Sequence, residues 1–75
     1  MPSADDLKQR IEASIPGSRA EVQDLTGGGD HFRATVVSPA FSGLSRIAQH
    51  RLVYDVFGPD VGGPIHALSL STRSE

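Results

Sequence analysis

The sequence predicts an α+β fold in which a three-stranded mixed sheet packs on helices, in the order helix, strand, strand, short helix, long helix, strand. Three observations predict it. Two stretches carry apolar residues at helical spacing, three shorter ones alternate apolar with polar residues, and breaks rich in proline or glycine separate them. A strand reached from another through a helix normally runs parallel to it. The second and third strands are therefore expected to be parallel neighbours, while the first two form a hairpin.

Residues 3–14 read as an amphipathic helix. Ser3 and Asp6 have capping-box spacing, Asp5 and Asp6 suit the positive end of the dipole, and Ala4, Leu7, Ile11 and Ile15 recur at three and four. Its apolar face is narrow, so it should lie on the outside of the domain. Pro16-Gly17 ends it. From Arg19 to Leu25 only Ala20 and Val22 are apolar at alternate positions, which suits an edge strand. The turn Thr26-Gly27-Gly28-Gly29-Asp30 follows, and His31 to Ser38 alternates Phe32, Ala34 and Val36 against polar residues. After Pro39, residues 39–43 suit one helical turn.

The stretch from Phe41 to Phe57 then carries two apolar stripes, one of Leu44, Ala48, Leu52 and Val56, the other of Ile47, Val53, Tyr54 and Phe57. A helix apolar on so much of its circumference is expected to be buried, with the chain arranged around it. Ser45 should cap it and Gly58-Pro59 stop it. Residues 59–64 form a loop, and residues 65–71 alternate as the third strand, with Ile65, Ala67 and Ser69 on one face and His66, Leu68 and Leu70 on the other. Residues 71–74 are expected to be a frayed tail.

Seventy-five residues suit one domain, taken as 1–75, with a small core. Seven basic residues against nine acidic ones argue against general affinity for phosphate backbones. No run approaches the ~20 apolar residues of a membrane span, so no membrane association is expected. The start MPSADDLKQR does not resemble a signal peptide, and the expected location is the cytoplasm. There is no cysteine, hence no disulfide, thiol nucleophile or thiolate ligand.

Enzyme signatures are missing: there is no triad spacing, no phosphate loop and no evident carboxylate pair, so the chain reads as a non-enzyme. The glycines at 27–29 offer amide hydrogens but lead into a strand, without the helix N-terminus that completes an anion cradle, and read as a hairpin turn. That leaves three histidines. If the second and third strands are parallel neighbours, their starts lie at one sheet edge and His31 and His66 can approach each other. His50, within the long helix beside Val53, Tyr54 and Phe57, reads as a structural residue. Two imidazoles do not complete a metal site, so such a half-site must borrow ligands from water or another protein.

Taken in order, D-H-F at 30–32, V-V-S at 36–38, F-x-G-L-S at 41–45, Q-H-R-L-V-Y at 49–54 and I-H-A-L-S-L at 65–70 closely resemble the motifs of BolA-like proteins. The resemblance covers nearly the whole chain, and the ordered set is far more specific than any member of it. It implies a fold similar to the class II KH domain, α-β-β-α-α-β. It also implies pairing with a monothiol glutaredoxin as a heterodimer that holds a [2Fe–2S] cluster, in iron–sulfur trafficking or iron and redox regulation. The glutaredoxin cysteine and glutathione would supply the remaining ligands, with no cofactor in the isolated chain, itself a monomer or weak homodimer. The histidine of the family's H-A-L strand is His66 here. The second family ligand lies in the loop between the first two strands. Where other members carry it after a glycine pair, this chain has Gly29, and the role passes to His31, the nearby donor.

Two other readings stay open. A KH-like fold suits a DNA-binding transcriptional regulator, with Arg33, Arg46, Arg51 and Arg73 as a basic patch, although Phe41-Ser42-Gly43-Leu44 has one glycine where a G-x-x-G loop has two. A protein-interaction module without metal is the other.

Overall fold

The computed structural model describes residues 3–29, 31–63, 65 and 67–74. Helix α1 spans Ala4–Ser14. The Ser3 hydroxyl accepts from the Asp6 N–H at 3.1 Å and the Asp6 carboxylate accepts from the Ser3 N–H at 3.2 Å. This reciprocal pair satisfies two donors that a first helical turn leaves open. Leu7 and Ile11 on its inner face are fully buried, and Ile15 at its C-cap nearly so.

Strand β1, Arg19–Asp24, runs antiparallel to β2, His31–Val37, and β3, Ala67–Arg73, lies parallel on the other side of β2. The hairpin and the parallel pair are those the sequence predicts, and the chain forms an α+β fold with a three-stranded mixed sheet. At the free edge of β1 the Ala20 N–H donates to the Glu12 carboxylate at 3.0 Å. Both helices cover one face of the sheet. Ala20, Phe32, Ala34, Val36 and Leu68 point into that layer, and Leu7, Ile11, Val53 and Phe57 come down on them. A 3-10 turn at Pro39–Phe41 adds Phe41, fully buried. Ser38, also fully buried, donates its hydroxyl to the Pro16 carbonyl at 2.8 Å and accepts from the Ala40 N–H at 3.1 Å.

The long helix differs from expectation. Helix α2 runs Arg46–Phe57, capped by the Ser45 hydroxyl on the Ala48 N–H at 3.1 Å and ended by Gly58 at φ 55°. Only Val53 and Phe57 are buried, while Leu44, Leu52 and Tyr54 are exposed and Ile47 is 74% exposed. One side of the helix meets the sheet and, among the described residues, no further layer lies beyond it, so Leu44, Ile47, Leu52 and Tyr54 face water. The centre of the domain is β2, which has neighbours on both edges and contributes Phe32, Ala34 and Val36 to the core. Gln49 sits on the inward side of α2, where its amide donates to the Leu44 carbonyl at 3.0 Å and accepts from the Thr72 hydroxyl at 2.8 Å.

The third strand is displaced by two residues toward the C-terminus. Thr72 and Arg73, expected beyond the strand, pair with Val36 and Val37, and the Ser38 N–H donates to the Arg73 carbonyl at 3.1 Å. Alternation holds from Ala67 onward: Leu68 is buried and Leu70 half-buried, while Ala67 and Ser69 are exposed. Ile65 breaks it, being fully buried in an isolated bridge with Val61 ahead of the strand.

Candidate metal centre

His31 is the first residue of β2. On one side the Leu25 N–H donates to its carbonyl at 2.8 Å, closing the hairpin loop, and on the other it lies opposite Ala67 of β3 in parallel register. Hydrogen-bonded strands lie about 4.8 Å apart, so the starts of the second and third strands do share one sheet edge. Ala67 directly follows His66 in the chain, and His66 itself lies outside the described residues. The His31 ring is half-buried, with Nδ1 sealed from solvent.

The loop between β1 and β2 is organised by a residue that the sequence reading passed over. Asp24, last in β1, accepts from the Thr26 N–H at 3.3 Å and the Gly27 N–H at 2.9 Å through Oδ1, and from the Gly29 N–H at 2.9 Å through Oδ2. The Gly28 N–H donates to the Thr26 hydroxyl at 3.2 Å. Gly27 and Gly29 adopt φ of 77° and 75°, the left-handed region where a side chain is strained. The amide hydrogens of 26–29 are thus satisfied from within, and the place where an external phosphate would sit is taken by the chain's own carboxylate. The signal was present: an aspartate two and three residues ahead of Thr26-Gly27 has the spacing at which its side chain folds back onto the following amides.

The segment entering β3 is tied in a different way. The Asp60 carbonyl accepts from the Gly63 N–H at 3.1 Å and the Ile65 N–H at 2.9 Å. Its carboxylate pairs with Arg10 of α1 at 3.1 Å, and that guanidinium also donates to the Val56 carbonyl at 3.4 Å and lies 4.9 Å from the Phe57 ring centroid. At about 40% exposure on both sides the ion pair contributes little free energy, and its effect is on the direction of the segment.

Among the described residues, no group of three or more His, Cys, Asp or Glu comes together as a metal cage. An iron–sulfur centre takes four protein or exogenous ligands. His50 is half-buried at the rim of α2, beside Ile47, Arg51 and Tyr54 in a shallow surface depression, and so lies outside the apolar interior expected for it. Register places Arg33 and Arg73 on the open face of the sheet, whereas Arg46 and Arg51 belong to the helical layer on its other side. The four arginines do not form one patch. No helix among the described residues is long and apolar enough to cross a membrane.

A family profile described as BolA-like protein matches residues 9–75. The chain belongs to the BolA-like family. It is 33% identical to human BolA-like protein 1 over 75 aligned residues, covering 91% of this chain and 55% of that protein, so it spans just over half of the human relative. Among solved structures it is similar to a bolA protein homologue from Coxiella burnetii, with a TM-score of 0.82 and 39% identity over 99% of this chain and 92% of that one. Yeast Fra2 superposes with a TM-score of 0.77 at 33% identity, over 97% of this chain and 80% of Fra2. These matches agree with the ordered motifs from Asp30 to Leu70 and with the α+β fold.

Proposed function

We propose that this BolA-like chain is a non-enzymatic adaptor which pairs with a monothiol glutaredoxin and contributes imidazole ligands, His66 and then His31, to a shared [2Fe–2S] cluster. The observation that carries this reading is the parallel register of His31 with Ala67, which sets the start of β2 beside the residue that follows His66. The scarcity of other donors supports sharing, since the chain has no thiolate and the described residues hold no three-donor cage.

When bound, the cluster supplies one-electron redox chemistry, and two nitrogen ligands in place of thiolates make it less negative and raise its potential. The chain's own contribution would be imidazole nitrogens from His66 and from His31 at the start of β2. Each ligates only after losing its ring proton, so acidification favours release. The test is pulsed electron paramagnetic resonance of the reduced complex with a monothiol glutaredoxin. Strong nitrogen couplings are expected, reduced in both His66→Ala and His31→Ala and absent when both are replaced, and a wild-type spectrum without such couplings overturns the reading.

A further inference from the structure

The loop ahead of His31 has an internal anchor whose purpose the fold alone does not require. It is solvent-facing, carries three glycines in succession and buries no large side chain, yet one carboxylate gathers three of its amides and a hydroxyl takes the fourth. Without that anchor a Gly-Gly-Gly run is the most freely moving backbone a chain can have. The anchored amides end at Gly29, two residues before His31, and Leu25 on the near side of the loop bonds to the His31 carbonyl. Among the described residues, Asp24 is the side chain that gathers the amides of Thr26, Gly27 and Gly29, and its own residue pairs with Phe32 in the hairpin register.

We propose that Asp24 is a positioning residue for His31: its carboxylate fixes the glycine loop and so holds the imidazole in a ligating orientation. The inference rests on the shared-cluster reading and adds to it the residue that takes over a task left by the loop itself. The resemblance to BolA-like proteins puts a ligand after the glycine pair, and in this chain Gly29 occupies that position and gives its N–H to Asp24. A ligand carried on the strand beyond the loop depends on the loop for its entry angle, as outer-shell partners do for metal ligands in general, where their loss costs about 10- to 100-fold in affinity.

Two measurements test this, the first on the free chain. In Asp24→Ala the Gly27 and Gly29 amides should exchange with solvent at least about tenfold faster, and the His31 ring should lose order in side-chain NMR relaxation. Asp24→Asn keeps one acceptor oxygen and should fall between. A His31 ring as ordered in Asp24→Ala as in the wild type overturns the proposal whatever the cluster does. The second measurement is the lifetime of the mixed cluster with a monothiol glutaredoxin, for wild type, Asp24→Ala, His31→Ala and the double variant. Asp24→Ala should shorten the lifetime about tenfold when His31 is present and leave it unchanged when His31 is alanine, because Asp24 then has no ligand to position. Equal shortening in both backgrounds, or none in either, overturns it. Failure of the wild type to form any mixed cluster would refute the shared-cluster reading instead, and the free-chain experiment would still decide whether Asp24 orders His31.

Discussion

Ser38→Ala should be among the most damaging conservative changes in the chain, although Ser38 lies at the opposite end of β2 from His31. The hydroxyl is fully buried and makes two hydrogen bonds, one to Pro16 at 2.8 Å and one from Ala40 at 3.1 Å, which join the end of α1 to the turn after β2. Alanine fills nearly the same space, so the loss is polar and not a large cavity. Each bond contributes about 1 kcal/mol net. Pro16 and Ala40 are exposed residues, so water can reach part of what is left unpaired, and the sum stays near 2 kcal/mol. For a domain of this size about 1 kcal/mol corresponds to roughly 4–8 °C, so Tm should fall by about 8–16 °C. Urea unfolding followed by far-ultraviolet circular dichroism, with an unchanged slope and a lower midpoint, is the assay. A loss under about 0.5 kcal/mol would show that neither bond matters in solution and would refute the reasoning.

Three further outcomes follow from the same packing. Ile47→Asp should change stability by less than about 0.5 kcal/mol, because Ile47 is 74% exposed, while Ile11→Ala, fully buried, should cost about 2–5 kcal/mol; paired urea melts check both. Gly17→Ala should destabilise by about 1–2 kcal/mol in the same assay, since φ is 68° and the added Cβ would meet the Pro39 ring at 3.2 Å. With its arginines divided between the two sides of the domain, the chain should show no duplex DNA retention at low salt and micromolar protein; a shift that weakens steeply as salt rises would restore the regulator reading.

Most of the fold was legible because its signals are local. The Ser3 and Asp6 capping box, the alternation of Phe32, Ala34 and Val36, and the Gly58-Pro59 stop each act within a few residues and each appears where the sequence put it. What misled was depth. Leu44, Ile47, Leu52 and Tyr54 look like core at helical spacing, but periodicity reports which residues share a face and not whether a second layer covers that face. The end of β3 was missed for the opposite reason: Thr72 and Arg73 carry little apolar signal, and their place in the sheet comes from Val36 and Val37 across the ladder. The adjacency of the starts of β2 and β3 followed from topology. The spacing of Asp24 to Thr26 and Gly27 carried a local signal that was passed over, whereas its reach to Gly29 depends on the positive φ of Gly27 and Gly29, which glycine leaves open.

The shared cluster is the central claim, and visible circular dichroism tests it most directly. This chain would be mixed anaerobically with a monothiol glutaredoxin, iron, sulfide and glutathione, as wild type, His66→Ala and His31→Ala. The account predicts a spectrum distinct from that of the glutaredoxin alone, lost with His66→Ala and altered with His31→Ala. A spectrum identical to the glutaredoxin's own for all three proteins would contradict it.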